Sequence, residues 1–166
     1  YLKPFTEMHA SFEVRCGQFT NIERILSLLE PTDTITLIVR KEIEPLLSER
    51  FKNITINPDI IEPGLWLNGA TIWNKELIKQ VKDGKSYSYE EILFAFLNSS
   101  NQDLNKLKNL ISSKKNITSH IELPHISFLW DAILKSSNQI NEDFKKMFPK
   151  RNGNIHPSTI LVKEEN

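Results

Sequence analysis

The chain has 166 residues, of which 39% are hydrophobic and 25% charged, so it can form one α/β domain with a sizeable core. Its 21 Lys and Arg residues balance its 21 Asp and Glu residues, and no net field would attract nucleic acid or an anionic membrane. No apolar run approaches the length that spans a bilayer, and no signal-peptide pattern opens the chain. These features argue against nucleic-acid-binding and membrane-spanning classes, predict a cytoplasmic location, and leave a small polar ligand open.

The first predicted element is a helix whose N-terminus carries a capping box. Thr20 is followed three residues later by Glu23, apolar residues recur at the helical period, and Pro31 closes the segment. Gly17 precedes the cap, and glycine permits either a tight turn or a close approach of the backbone to a ligand. The positive end of a helix also favours an anion. This segment is therefore a candidate anion site, with an ordinary tight turn as the alternative.

Two predicted strands enclose a second helix. Residues 34–40 are rich in β-branched side chains and predict a buried strand, and residues 53–57 form another short β-branched run. Between them, residues 41–51 predict a helix with Pro45 near its first turn, where a missing N–H costs little. The alternation of helix and strand indicates a parallel or mixed sheet covered by helices.

A candidate ligand-binding position follows the next apolar run. Residues 63–69 end in Asn68-Gly69, and Asn74 can cap a helix over residues 75–82. In open α/β sheets the ends of strands border the ligand crevice, so Asn68 and Gly69 are candidate site residues. The alternative is a hairpin turn, for which Asn-Gly is a strong signal.

The second half of the chain contains further apolar segments. Residues 92–97 fit a buried strand and a buried helix alike, and we favour the strand. The pattern then predicts a helix over residues 103–112, a strand over 117–123, and helices over 128–135 and 141–148. The last two helices are predicted to bury Trp130, Ile133, Leu134, Phe144 and Phe148.

The two ends of the chain suggest that more polypeptide belongs to the protein. The chain begins at Tyr1 rather than at Met, which suggests that an N-terminal strand is missing. After a linker-like interruption, Ile155 and Ile160 are spaced roughly like the rungs of a hexapeptide β-helix. We therefore expect an α/β domain over residues 1–150, and a linker with the first residues of a second domain over residues 151–166.

Few side chains form a catalytic pattern. The four histidines and the single cysteine, Cys16, show no metal-ligand spacing, so no metal site is predicted. Cys16 beside Arg15 is either a low-pKa nucleophile or, as we favour, a buried inert thiol. Trp130 and Asp131 either offer a stacking face and an acceptor to a sugar, or are a core tryptophan beside a polar helix residue.

Several short motifs occur in a fixed order along the chain. They are Lys3-Pro4-Phe5-Thr6, Glu13-Val14-Arg15-Cys16-Gly17, Leu67-Asn68-Gly69, Asn74-Lys75-Glu76-Leu77, Trp130-Asp131 and Ile155-His156-Pro157-Ser158. This order resembles a family of sugar nucleotidyltransferases related to the bifunctional N-acetylglucosamine-1-phosphate uridyltransferase. The resemblance covers almost the whole chain.

The resemblance implies a fold, a reaction and partners. The implied fold is a nucleotide-diphospho-sugar-transferase-like (Rossmann-like) mixed sheet covered by helices, followed by the start of a left-handed β-helix. The implied reaction joins a nucleoside triphosphate to a sugar 1-phosphate and releases pyrophosphate, with Mg²⁺ as the cofactor of an active member. A β-helix downstream would also imply a homotrimer.

The resemblance further implies a set of site residues. Arg15 would be the catalytic group, Thr6, His9, Glu13 and Gly17 would surround the nucleotide, and Asn68, Gly69, Trp130 and Asp131 would lie toward the sugar.

Two departures from the family pattern support an alternative. Met8-His9-Ala10 stands where the family has Thr-Arg-Pro, so an arginine that would clamp a phosphate is replaced by histidine. Asn68 stands where characterised enzymes place a metal-binding aspartate, and an amide is a poorer ligand for a hard cation. The alternative is a catalytically degenerate domain that binds a ligand, or serves in assembly, beside a β-helical acyltransferase.

Overall fold

The computed structural model describes residues 2–81, 86–89, 92–114, 123–147 and 158, and within them the chain is a mixed α/β fold with four small sheets. Along the chain the elements are two 3₁₀ helices (Phe5–Glu7 and Ser11–Glu13), β1 (Arg15–Cys16), β2 (Phe19–Thr20), α1 (Asn21–Leu26), β3 (Thr36–Leu37), α2 (Glu44–Arg50), β4 (Thr55–Ile56), β5 (Ile60–Ile61), β6 (Gly64–Leu67), α3 (Lys75–Val81), β7 (Tyr87–Tyr89), β8 (Ile92–Asn98), β9 (Gln102–Asp103), α4 (Leu104–Lys114) and α5 (Leu129–Met147).

The capping box that begins α1 is confirmed. The Glu23 backbone N–H donates to Thr20 Oγ1 over 3.2 Å, and the Thr20 N–H donates to Glu23 Oε2 over 2.7 Å. Hydrogen bonding to the Thr20 backbone also lowers the pKa of Glu23, which favours the ionised carboxylate at the start of the helix. Gly17 lies just before, at φ +77°, in the two-residue loop that connects β1 to β2.

Strands β3 and β4 pair in parallel across α2, as the sequence predicts. The predicted strand over residues 34–40 is a paired strand over Thr36 and Leu37, and on its carboxyl side the regular ladder ends at Asn57, whose φ is 44°. Its side chain then takes over the pairing: Oδ1 accepts from the Val39 N–H over 2.8 Å, and Nδ2 donates to the Val39 carbonyl over 3.1 Å.

Residues 92–97, for which the sequence allows a strand or a helix, form a strand. This confirms the strand that we favoured. Strand β8 is the middle of an antiparallel sheet in which β6 and β7 flank it. Phe94, Ala95 and Phe96 are buried there. The hairpin reading of Asn68-Gly69 is wrong, because β6 pairs with β8 and not with the segment that follows Gly69.

The helices α3 and α4 lie where the sequence predicts them, each with a side-chain cap. Asn74 Oδ1 accepts from the Leu77 N–H over 2.8 Å, and Asp103 Oδ1 accepts from the Lys106 N–H over 2.8 Å. Of the strand predicted over residues 117–123, all but the last residue lies outside the described part of the chain, and Leu123 is buried without belonging to a strand. The predicted β-helix start over residues 151–166 also lies outside the described part, apart from Ser158.

Helix α5 corrects two predictions. It is one continuous helix of 19 residues, where two were expected. The predicted buried side chains lie on its solvent side: exposed fractions are 58% for Trp130, 74% for Ile133, 75% for Leu134 and 56% for Phe144. Phe148 lies outside the described residues.

The opposite face of α5 is buried, because its side chains are either small or held in an ion pair. Ala132 and Asp143 lie there, and the Cys16 thiol donates to the Ala132 carbonyl over 3.4 Å. The β1–β2 loop packs on this face, where Gly17 approaches Asp143 and Gln139, and the bulky apolar residues lie on the outward face. In the described part of the chain, no helix is both long enough and apolar enough to cross a bilayer.

Candidate functional site

A cavity of about 510 Å³ lies between β3 and β6. Two continuous segments, residues 34–40 and 61–69, form its long walls. Helix α1 contributes Ile22 and Ile25, and α4 contributes Leu107. The volume falls in the range of small-molecule sites.

One end of the cavity is lined by polar side chains and by the backbone of Gly69, and we call this end the polar mouth. Its members are Thr6, His9, Ser11, Arg40, Asn68 and Gly69. Arg40 follows β3, and Asn68 directly follows β6. The carboxyl ends of both strands therefore reach the mouth, which is where ligands bind in open α/β sheets.

The first residues of the chain join the two strand ends. The Arg40 guanidinium donates to the Thr6 carbonyl, and a Cβ atom on Gly69 would lie 3.2 Å from Ser11 Oγ and 3.0 Å from Phe12 Cβ. A side chain at position 69 would thus require its neighbours to move. Residues of the two 3₁₀ helices therefore contact the ends of both strands at the mouth.

Arg40 was not among the residues predicted from the sequence. A signal was available, because the predicted strand ends at Arg40 and strand ends border the ligand crevice. A guanidinium carries five N–H donors and a permanent charge, so Arg40 keeps donors for a phosphate beyond its bond to Thr6.

His9 lies beside a second arginine that the sequence did not reveal. The His9 ring stacks on Phe5 with 4.5 Å between the ring centroids. Arg50 Nη1 lies 3.0 Å from His9 Nδ1 and 2.9 Å from Glu13 Oε1. His9 Nδ1 also lies 3.4 Å from Glu13 Oε2, so His9, Glu13 and Arg50 form one polar cluster. Arg50 thus places a permanent positive charge next to the position where the family pattern has arginine.

Asn68 shapes the mouth through its own hydrogen bonds. Its Nδ2 donates to the Leu93 carbonyl over 2.9 Å, and its Oδ1 accepts from the Ala70 N–H over 2.9 Å. Asn21 Nδ2 in turn donates to the Gly69 carbonyl over 3.0 Å. The Asn21 Oδ1 atom is buried and has no hydrogen-bond partner among the described residues.

Arg15 and Gly17 do not line the cavity. The Arg15 side chain is 56% exposed, lies 3.4 Å from Glu23 and donates to the Gln18 carbonyl. A Cβ atom on Gly17 would lie 2.7 Å from Asp143 Oδ2, so its close approach is to α5. Gly17 therefore serves helix packing in this structure.

Glu13, Trp130 and Asp131 also lie outside the cavity lining. Glu13 holds Arg50 beside His9. Trp130 stacks on Phe128 with 4.5 Å between ring centroids, and Asp131 Oδ2 accepts from the Phe128 N–H over 2.8 Å at the start of α5. Of the predicted site residues, the structure brings Thr6, His9, Asn68 and Gly69 together.

Cys16 has the environment of an inert thiol. Its side chain is fully buried, and this burial raises the pKa of the thiol above its usual value. A thiol held in its protonated form is a poor nucleophile. The structure supports the reading of Cys16 as a structural residue.

The described residues offer no ligand set for a metal. They contain no group of three or more His, Cys, Asp or Glu side chains that could hold an ion. The carboxylate that lines the cavity is Glu62 alone, and Asn68 has already engaged both of its polar atoms. The described residues therefore do not form a Mg²⁺ site by themselves. In proteins, Mg²⁺ often takes most of its ligands from phosphate and water.

Comparison with known protein families gives a match over most of the chain. A family model described as sugar nucleotidyl transferase matches residues 1–152. No curated protein and no solved structure gives a significant match. The matched segment covers most of the chain, and it contains both walls of the cavity and every residue of the polar mouth. The chain belongs to the sugar nucleotidyl transferase family.

Proposed function

We propose that the polar mouth binds a nucleoside triphosphate and a sugar 1-phosphate and catalyses their conversion to a nucleotide sugar and pyrophosphate. The observation that carries the proposal is the position of Arg40. It is an exposed cation three residues beyond the carboxyl end of a parallel strand, in a cavity of suitable size, in a chain of this family.

The proposed reaction needs charge stabilisation more than it needs a nucleophile on the protein. A phosphate oxygen of the sugar 1-phosphate forms a bond to the α-phosphorus, the bond from that phosphorus to the β-phosphate oxygen breaks, and pyrophosphate leaves with the electron pair. A guanidinium can pair bidentately with phosphate oxygens and stabilise the charge that develops on them. We assign this role to Arg40.

The other mouth residues orient the two substrates. Thr6, His9 and Ser11 lie on the side of the 3₁₀ helices, which we assign to the nucleotide. Asn68 and Gly69 lie at the end of β6, which we assign to the sugar. The predicted catalytic role of Arg15 passes to Arg40 in this proposal, because Arg15 pairs with Glu23 away from the cavity.

The finer relation to N-acetylglucosamine-1-phosphate uridyltransferase decides the first substrates to test. UTP and N-acetylglucosamine 1-phosphate head a panel of triphosphates and sugar 1-phosphates, each with Mg²⁺, because triphosphates bind this ion in solution. The measurement is pyrophosphate release. If no pair yields pyrophosphate, the enzymatic proposal fails.

Two arginine variants locate the site. We expect Arg40→Gln to lower the turnover rate by about 10²-fold to 10³-fold, the usual effect of losing a charge-stabilising donor. Arg15→Gln is the matched control, because it removes an exposed arginine that does not line the cavity. Loss of turnover in Arg15→Gln with normal turnover in Arg40→Gln would return the catalytic role to Arg15.

A second candidate function is ligand binding without turnover. The observation that favours it is the lack of a metal ligand set among the described residues, together with the engaged amide of Asn68. A ligand at 100 times its Kd stabilises the folded state by about 2.7 kcal/mol. A rise in the melting temperature with UTP or a nucleotide sugar, with no pyrophosphate from any pair, would support this function in place of catalysis.

A further inference from the structure

Helix α5 carries large apolar side chains on the face that it turns to solvent. Five of them are each more than half exposed: Trp130, Ile133, Leu134, Ile140 and Phe144. Residues that are three, four or seven positions apart share one face of an α-helix, so these side chains form a single stripe. We call it the α5 stripe.

The α5 stripe cannot turn inward, because the opposite face of the helix is fixed. Asp143 accepts from Arg24 and from the Gln18 N–H, and a Cβ atom on Gly17 would already collide with Asp143. These contacts come from α1 and from the β1–β2 loop, so a rotation of α5 would break buried hydrogen bonds. Within the described part of the chain, the stripe therefore stays exposed.

The exposed area of the α5 stripe is that of an interaction surface. Given the sizes of its side chains, the stripe exposes on the order of 600 Å² of mostly apolar surface. That value is at the upper end of the ~300–600 Å² that the largest patch of a typical monomer covers. The stripe runs along a convex helix for about 21 Å, and a convex surface does not enclose a small molecule. A second protein surface can cover it.

The side-chain sizes along the α5 stripe are nearly symmetric about its centre. Ser137 is exposed at this centre, seven residues after Trp130 and seven residues before Phe144. Leu134 lies three residues before Ser137, and Ile140 lies three residues after it. The sizes therefore run large, aliphatic, small, aliphatic, large in either direction. Such a surface is complementary to a second copy of itself in antiparallel orientation, because a two-fold axis brings one half of the stripe against the other.

The charges at the two ends of α5 favour an antiparallel partner over a parallel one. Asp131 lies in the first turn, and Lys145 lies in the last turn, where its exposed ammonium group also pairs with Glu142. The helix dipole is positive at the first turn and negative at the last turn. An antiparallel copy brings opposite charges and opposite dipole ends together, whereas a parallel copy would align like ends.

We propose that the α5 stripe joins two copies of this chain, whose α5 helices pack antiparallel with the two-fold axis at Ser137. Trp130 lies against the partner's Phe144, and Leu134 lies against the partner's Ile140. The small side chain of Ser137 lets the two helices approach closely where they cross. Both stripes together would bury about 1,200 Å², the lower end of the range for specific interfaces. The described lining of the cavity contains no residue of α5, so this inference is independent of the proposed activity.

The mass of the full chain in solution tests the pairing. At about 100 μM, above the micromolar Kd that interfaces of standard size can reach, we expect analytical ultracentrifugation to give twice the chain mass of 19.3 kDa. Ile133→Glu should raise the Kd of the dimer at least about 100-fold, because it places a charge in an apolar interface. Ile60→Glu is the matched control, since it makes the same change at another exposed isoleucine, on β5, and should leave the mass unchanged. A monomeric chain, or equal Kd values for the two variants, would overturn the proposal.

Disulfide crosslinking tests the antiparallel orientation and the position of the axis. The native thiol of Cys16 is buried, so an added surface cysteine is the one that oxidised glutathione would couple. In Ser137→Cys the two thiols lie at the axis and should join the copies. In Asn141→Cys the two positions lie about 12 Å apart along the helix axes, which is too far for a disulfide. We expect crosslinking to be at least about tenfold faster for Ser137→Cys. Equal rates, or faster crosslinking of Asn141→Cys, would overturn the antiparallel pairing.

Discussion

Gly17 meets α5 more closely than any residue with a side chain could. Its φ of +77° is one that L residues rarely adopt, and an added Cβ atom would lie 2.7 Å from Asp143 Oδ2 and 2.8 Å from Gln139 Cβ. We expect Gly17→Ala to lower the free energy of unfolding by about 2–3 kcal/mol, because strain at positive φ adds to the displaced contacts. Urea denaturation followed by circular dichroism measures this change.

Gly64→Ala is the control for the Gly17 variant. A Cβ atom on Gly64 would have no heavy atom within 4 Å, and its backbone is not at positive φ. We expect a change within about 1 kcal/mol. If Gly17→Ala unfolds at the same urea concentration as Gly64→Ala, the approach of the loop to α5 does not constrain the fold.

Single residues also show what the sequence could and could not predict about the site. Glycine chemistry correctly indicates that the backbone at Gly17 is special, but it does not say that the approaching group is a helix more than 120 residues later. In the sequence, Arg15 precedes the first predicted helix and Arg40 ends a predicted strand, so neither position is favoured over the other. Only the tertiary structure shows that the first pairs with Glu23 and the second reaches the cavity.

At the scale of elements, predictions from local chemistry succeeded. The caps at Thr20, Asn74 and Asp103 act within three residues of sequence, so the starts of α1, α3 and α4 could be predicted. The apolar stripe predicted from the sequence is also present on α5. Its direction could not be predicted, because the β1–β2 loop decides which face of α5 packs.

A buried ion pair fastens α5 to the rest of the molecule. Asp143 Oδ2 accepts from Arg24 Nη2 over 2.9 Å and from the Gln18 N–H over 3.0 Å, and Arg24 also bonds the Cys16 carbonyl over 2.7 Å. Only 6% of the Arg24 side chain and 1% of the Asp143 side chain are exposed. One carboxylate therefore joins α5 to both α1 and the β1–β2 loop.

We expect Asp143→Ala to lower the free energy of unfolding by about 3–5 kcal/mol, because the Arg24 guanidinium would remain buried without its counter-ion. Glu142→Ala is the control, since it removes the neighbouring pair with Lys145, whose side chains are 52% and 71% exposed. That loss should stay within about 0.5 kcal/mol. Chemical denaturation of both variants measures the difference, and equal midpoints would contradict an anchoring role for Asp143.

At the scale of the whole molecule, the mixed α/β class and the family could be predicted from the sequence. The order of motifs indicated the family, and a family model matches residues 1–152. The division of the described residues into four small sheets could not be predicted, because pairing between distant strands leaves no local signal. The parallel unit of β3, α2 and β4 was readable since its members are neighbours in sequence.

His125 couples the stability of the whole molecule to pH. Burial lowers the pKa of its imidazole to about 4 from a usual value of 6.5, and the nearby Asp131 carboxylate opposes this shift only in part. The ring meets Phe94 edge-on at 5.4 Å between ring centroids, and its Nδ1 lies 3.3 Å from Thr71 Oγ1. The folded protein therefore holds His125 neutral under conditions in which the unfolded chain protonates it.

The sign of the pH effect follows from this difference in proton binding. Below about pH 6.5 the unfolded state takes up a proton at His125 that the folded state refuses until about pH 4, so stability falls as the pH falls through this interval. One proton contributes at most about 1.4 kcal/mol per pH unit. We expect His125→Gln to flatten the decline of the unfolding free energy between pH 6.5 and 4 in urea titrations, since glutamine does not titrate there. Parallel curves for the two proteins would show that His125 does not link folding to pH.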